Sequence, residues 1–234
     1  MIIWLLHHCV ISNCTQFKIL VKWKTSFMST FKRSDTFTPL FYEHTAWHNQ
    51  ACVLGVDEVG RGCLAGPVVT AAVILKPHVH HELLQDSKLL SPKERLIAYT
   101  WLLDNSWHAV SFVHHRIIDD VNIYRATLQA MKRSTTQLLA TAPVQPEYIL
   151  VDAMPLALEH VTTPVVYFNF GETLSSSIAA ASIVAKVTRD ALMCRLDAYI
   201  PGYSLHQHKG YATKLHKLAL ELQGPSPLHR KSFL

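Results

Sequence analysis

Between Cys52 and Leu75 the chain sets an apolar run, a glycine-rich turn and a second apolar run in succession, and few folds accept that order. Cys52-Val53-Leu54-Gly55-Val56-Asp57 reads as a buried strand that ends on a charge. Gly60-Arg61-Gly62-Cys63-Leu64-Ala65-Gly66-Pro67 supplies the turn, and Val68 to Leu75 is a β-branched run. Strand, turn and strand in this order predict an antiparallel pair.

The rest of the chain alternates helix and strand signals around that pair. Ser91-Pro92-Lys93-Glu94 is a helix start, with serine as N-cap, proline at the first helical position and glutamate three after the serine. That helix is predicted to reach about Leu103. A weak third strand covers Ala109 to His114, and a helix of about 18 residues runs from Ile123 until Pro143 stops it. Tyr148 to Val151 and Val165 to Phe168 are short apolar strands, the first leading into Asp152. Ser175 to Tyr199 is a long helix with a small face at Ala179, Ala180, Ala181 and Ser182, ended by Pro201. A last helix spans roughly Thr213 to Leu222. The fold class is therefore α/β.

Composition excludes more than it selects. With 234 residues, 49% of them apolar and 17% charged, the chain is neither disordered nor a coiled coil. No run approaches the roughly 18 apolar residues of a membrane span, so a soluble protein is expected, and its cysteines read as the reduced ones of a cytoplasmic protein. Five cysteines at irregular spacing, with no C-x-x-C, indicate neither a disulfide framework nor a zinc ribbon. Charge is uneven. Residues 206–234 carry +4, from Lys209, Lys214, Lys217, Arg230 and Lys231 against Glu221, whereas 28–205 carry −2. A basic stretch on an acidic body suits contact with a polyanion at one end. His78, His80 and His81, and likewise His206 with His208, read as solvated loop histidines, since no cysteine or acid completes a tetrahedral zinc set.

The acids carry the chemistry. Asp57 and Glu58 close the first strand and Asp152 closes the fourth. Gathered at one edge of the sheet, three carboxylates would repel and raise each other's pKa unless a divalent metal neutralised them. All-oxygen donors favour Mg²⁺ or Mn²⁺ over zinc. From spacing alone, helix caps and turn residues remain an equally open reading. Gly60, Gly62 and Gly66 miss the dinucleotide fingerprint by one residue, and a strand follows where that motif needs a helix. Two glycines flanking Arg61 instead suit a loop whose amides approach a phosphodiester, with Arg61 as an added cation.

These residues resemble a known signature. Asp57-Glu58-Val59-Gly60-Arg61-Gly62 with Leu64-Ala65-Gly66-Pro67-Val68-Val69 is similar to that of bacterial ribonuclease HII, the type 2 ribonuclease H. Asp86-Ser87-Lys88 with Leu90-Ser91-Pro92, then Val151-Asp152, agree in order and spacing. So do the block from Ile178 to Asp190, His208-Lys209-Gly210-Tyr211 and the stretch Leu228-His229-Arg230-Lys231-Ser232-Phe233. The resemblance covers about residues 50–234. Residues 28–49 read as a lead-in. Residues 1–27 match nothing in the family and read as either a weak targeting segment or, preferably, sequence upstream of the true start, since Met28 opens more ordinary sequence.

The resemblance implies an RNase H-like fold: a mixed five-stranded sheet flanked by helices, with a helical C-terminal region. It implies an endoribonuclease that hydrolyses the RNA strand of RNA–DNA hybrids and cuts 5′ of ribonucleotides embedded in duplex DNA, acting as a monomer. It also implies two metal ions, Mn²⁺ or Mg²⁺, on four carboxylates, leaving 5′-phosphate and 3′-hydroxyl ends. Asp57, Glu58 and Asp152 take three positions. The family has an aspartate at the fourth, where this chain has Glu172 after Gly171, a substitution that resembles the sister type ribonuclease HIII. Asp190 is the rival for that role, although an i,i+4 ion pair with Lys186 is its plainer use. Gly60, Arg61 and Gly62 would contact the 2′-OH and its phosphate, Tyr211 would stack on the neighbouring deoxyribose, and Lys88 and Lys209 would meet phosphates. A non-catalytic nucleic-acid-binding protein on the same fold is the alternative. Four retained carboxylates argue against it, because clustered negative charge hinders phosphate binding.

Overall fold

The computed structural model describes residues 40–234, so the readings made for 1–27 and for most of 28–49 lie outside the described residues. Five strands form one sheet: β1 (Cys52–Val59), β2 (Val68–Leu75), β3 (Ser106–Val113), β4 (Pro146–Asp152) and β5 (Val165–Phe168), in the order β3-β2-β1-β4-β5. β1 pairs antiparallel with β2, as does β2 with β3, while β1–β4 and β4–β5 are parallel. The sheet is therefore mixed, and its centre is β1.

Helices cover both faces. α1 (Phe41–His48) precedes the sheet, α2 (Pro92–Asn105) leads into β3, and α3 (His115–Val121) and α4 (Ile123–Thr141) follow it. α5 (Ser176–Asp197) is the long helix, and α6 (Leu205–His208) and α7 (Lys214–Gln223) complete the C-terminal region. The period-2 alternation of β2 decides the layers. Ala71, Val73 and Leu75 pack with α2 and α5, and Ala72 and Ile74 pack with Met131 and Leu138 of α4. Among the described residues no helix is long and apolar enough to cross a membrane.

Most boundaries match the sequence reading. Ser91 forms the capping box with Glu94 that the motif predicts. Two expectations change. β1 does not stop at Asp57 but pairs with β2 through Glu58↔Thr70 and Val59↔Val69, because the turn begins only at Gly60. The second concerns the strands that carry the acids, whose place in the sheet the sequence left open. The acids lie at the carboxyl ends of two central, parallel strands, the position where α/β sheets present ligand sites. α1 carried no signal of its own. Glu43 within it is buried, and its Oε1 accepts from Ser175 Oγ at 2.6 Å and from the Ser177 amide at 2.8 Å. A carboxyl oxygen there satisfies the free N–H of Ser177 in the first turn of α5.

Gly55 sets how closely α5 approaches. A Cβ built on it would lie 2.2 Å from the Ser177 backbone carbon, so only glycine lets the helix lie against β1. The small residues Ala179, Ala180 and Ala181 are buried on the facing side. Gly55→Ala is expected to cost about 3 kcal/mol, the upper end for an inserted methyl group whose neighbour cannot yield. A lowered midpoint of urea unfolding checks this.

Candidate active site

Two residues beyond Gly55 on the same face of β1 stands Asp57, and the close approach of α5 buries it. Its Oδ1 accepts from the Glu58 amide at 2.6 Å, and Ser182 of α5 hydrogen-bonds its carboxyl. Burial drives the Asp57 carboxyl well above the usual carboxylate range, and the charges of Glu58 and Asp152 add to this. Repulsion was the expected cause of such a rise, but burial is the larger. Glu58 Oε1 is held by Arg61 Nη1 at 3.3 Å, while its buried Oε2 has no hydrogen-bond partner.

Asp152 ends β4, and its Oδ1 accepts from the Gly171 amide at 2.8 Å. That bond seats the short 3₁₀ turn Gly171–Thr173 against β4 and brings Glu172 within the field of Asp152. Asp152 and Glu172 are both raised, burial first, with Glu58 acting on the former and Asp152 on the latter. Asp86 raises both and Lys88 lowers both, which puts the Asp86-Ser87-Lys88 segment beside the cluster. The influence of Asp86 was missed, although its segment stood out in the sequence. Lys88 is exposed, 4.0 Å from Asp86 Oδ1. Asp190 is elsewhere: its Oδ1 is 2.9 Å from Lys186 Nζ.

The residues fit divalent cations by chemistry. Every donor is oxygen, the carboxyls are protonation-prone from burial and mutual repulsion, and one buried oxygen lacks a partner. The set is open as it stands, since among the described residues no three Asp, Glu, His or Cys side chains converge on one point. Asp57, Glu58, Asp152 and Glu172 are neighbours, not a closed cage.

Beside the acids the glycine-rich loop is held from behind by two buried arginines. Arg230 donates to the carbonyls of Gly60 at 2.7 Å, Arg61 at 2.8 Å and Gly66 at 2.9 and 3.0 Å. Arg189 donates to Pro67 at 2.9 Å, Ala65 at 3.2 Å and Lys209 at 2.9 Å. In a trans peptide the N–H points opposite to its carbonyl, so with the Gly60 and Arg61 carbonyls turned onto Arg230, the Arg61 and Gly62 amides point away from it. A side chain built at Gly62 would meet nothing within 4 Å, which leaves that side open. Gly60 sits at φ +93°, and a Cβ there would lie 2.2 Å from Arg189 Nε. Burial pulls the Arg230 guanidinium down to about 10, so it stays charged at neutral pH. Neither arginine was singled out from the sequence, although both lie in blocks that carry the resemblance.

Tyr211 bridges to Cys63 of this loop, and its ring is 5.3 Å from Lys186 Nζ and 5.7 Å from the Arg189 guanidinium carbon. Burial lifts its hydroxyl to about 12. The loop cations are less free than expected. Arg61 is engaged with Glu58, and Lys209 Nζ donates to the carbonyl of His206. The histidine expectation fails for His208, which is buried, because its ring Nε2 bonds the Tyr203 carbonyl at 2.7 Å. His206 is exposed as expected, 2.6 Å from Asp197.

A mixed five-stranded sheet in the order β3-β2-β1-β4-β5, with helices on both faces and acids at the carboxyl ends of two central strands, is an RNase H-like fold. The family model for ribonuclease HII matches residues 54–234. Ribonuclease HII of Lactobacillus acidophilus is 41% identical over 218 residues, covering 92% of this chain and 84% of that protein. Ribonuclease HII of Acholeplasma laidlawii is 44% identical over 182 residues, covering 77% and 86%. The crystal structure of ribonuclease H2 from Pyrococcus horikoshii OT3 shares the fold, with a TM-score of 0.63 at 23% identity over 77% of this chain and 93% of that one. The chain belongs to the ribonuclease HII family and is a divalent-metal-dependent endoribonuclease.

Proposed function

We propose that the protein cuts 5′ of ribonucleotides embedded in duplex DNA, besides hydrolysing the RNA strand of hybrids, and that Asp57, Glu58, Asp152 and Glu172 hold two divalent cations for this reaction. The observation that carries the reading is the placing of the Arg61 and Gly62 amides next to the acids. Two outward N–H groups suit a 2′-OH and its phosphate, and the 2′-OH is what separates RNA from DNA at a given site. Asp57, Glu58, Asp152 and Glu172 would hold the cations, which would supply activation of water and neutralisation of charge on the leaving 3′-oxygen. Mn²⁺ and Mg²⁺ both suit carboxylate donors.

The chain's own groups do the selecting. Arg230 and Arg189 keep the loop carbonyls facing inward, so the amides stay presented without the loop having to order on binding. Gly62 admits the backbone of the substrate. Tyr211, seated against Cys63, offers its ring to the deoxyribose at the junction, while Lys88 and Lys209 meet phosphates, Lys209 after leaving the His206 carbonyl. A ribonuclease HIII-like preference is the second reading, favoured by Glu172 alone.

Cleavage of a duplex DNA bearing one ribonucleotide, in Mg²⁺, in Mn²⁺ and in excess chelator, tests the proposal. The expected product is a single nick 5′ of the ribonucleotide with metal only, and intact pure DNA. Cutting that persists in chelator sinks the metal reading, and cutting of hybrids alone sinks the embedded-ribonucleotide reading. Tyr211→Ala is expected to lower cleavage at a single ribonucleotide about tenfold while lowering it less within a long RNA stretch, as one base-sized stacking contact is worth about 1–3 kcal/mol. Equal losses on both duplexes would remove the junction role.

A further inference from the structure

Behind Tyr211 lies a file of buried imidazoles. His216 of α7 is fully buried and His229 nearly so. His216 Nδ1 is 2.9 Å from the Tyr211 carbonyl, His216 Nε2 is 2.9 Å from His229 Nε2, and His229 Nδ1 is 2.9 Å from the Ser226 amide. The backbone dictates where the protons sit. An amide can only donate, so His229 Nδ1 accepts and the neutral ring carries its proton on Nε2. That proton faces His216 Nε2, which must accept, and the proton of His216 is left on Nδ1. There it meets a carbonyl that can only accept. One arrangement satisfies every group, and a proton added anywhere along the file sets two N–H groups against each other.

The surroundings favour the neutral file. The groups facing it are His115 of α3, His208 of α6, whose ring stacks on His216 at 4.1 Å, and Tyr203, whose ring is 5.0 Å from His229. Two carboxylates act on these neighbours and not on the file itself, Asp197 on His208 and Asp119 on His115. Burial pulls His216 below the ordinary imidazole range and His229 to about 4, with the neighbouring imidazoles adding to the latter.

We propose that His216 and His229 are positioning residues that fix the backbone of Tyr211, and with it the ring, for reading the deoxyribose beside a ribonucleotide. This deepens the reading of Tyr211 given above and rests on it. The Tyr211 carbonyl has a second donor, Thr213 N–H at 2.8 Å, but that bond comes from two residues away and ties the carbonyl to nothing beyond its own turn. His216 ties it to His229, which bridges Ala65 in the glycine-rich loop. The file therefore couples the stacking residue to the loop that carries the outward amides.

The test measures the full chain on two duplexes, one with a single ribonucleotide and one with a long RNA stretch. His216→Ala removes the donor to Tyr211, whereas His216→Asn keeps an N–H near the Nδ1 position. The ratio of single-ribonucleotide to long-stretch cleavage should fall about fivefold in the first, the effect of one hydrogen bond, and recover in part in the second, which restores the bond to Tyr211 but not the one to His229. An unchanged ratio in His216→Ala, or no recovery in His216→Asn, overturns the proposal. Should the alanine variant not fold, nitrogen NMR of the native chain decides. At neutral pH His216 should carry its proton on Nδ1 and His229 on Nε2, and His216 protonated on Nε2 overturns it. Tyr211→Ala run alongside separates the two readings. A ratio unchanged there removes Tyr211's role, while a ratio lost there and kept in His216→Ala overturns the positioning alone.

Discussion

Asp57→Asn and Asp152→Asn should each lower turnover by at least about a thousandfold, more than the 10–100-fold typical of losing a group that merely supports a metal ligand. The same changes should leave the metal-free fold intact or raise its melting temperature. Asp57 is buried with its carboxyl driven upward by that burial and by Glu58 and Asp152, so its ionised form opposes folding. The linkage has a definite sign. A carboxyl raised in the native state binds its proton more tightly there than in the unfolded chain. Stability in chelator should therefore decline as pH rises from the ordinary carboxylate range through the raised one. Asn at 57 removes the share of that decline that Asp57 contributes, leaving those of Asp152 and Glu172, and keeps an oxygen for the Glu58 amide. Thermal unfolding of both chains in chelator between pH 4 and 8 checks it. A sharp loss of stability in Asp57→Asn at neutral pH would make the residue structural.

The second large effect belongs to Glu172. Glu172→Gln should cost about a hundredfold or more in turnover, since a neutral amide replaces a ligand charge in a site built on charge. Glu172→Asp should keep substantial activity, since it restores the aspartate that the family has at this position. Asp190→Asn should cost little, for Asp190 spends its carboxylate on Lys186 at 2.9 Å. Turnover of the three variants in Mn²⁺ and in Mg²⁺ settles the assignment. Full activity in Glu172→Gln with loss in Asp190→Asn would transfer the role.

Local signals made most of the fold legible. The capping box at Ser91, the breakers at Pro143 and Pro201 and the β-branched run from Val68 each act within a few residues, and each element stands close to where its signal put it. α1 was missed because its reason for being is not local: Glu43 reaches 132 residues ahead to Ser175. The acids were legible as strand-end charges next to a glycine-rich turn, but their setting was not. Central strands cannot be told from edge strands until β4 is known to pair with β1. The arginines behind the loop are the plainest case. Arg230 looks like one more base in a basic stretch, and its role appears only when Gly60, 170 residues earlier, is folded against it.

That long tether has a consequence for the growing chain. All four acids and the whole sheet are made well before Arg230, yet the loop beside them acquires its inward carbonyls only when Arg230 and Arg189 can both reach it. A polypeptide interrupted between the end of α5 and residue 230 would hold the four acids beside a loop whose Gly60 and Arg61 carbonyls lack their partner. Synthesis order thus places the fixing of this loop last, after every acid beside it has been made.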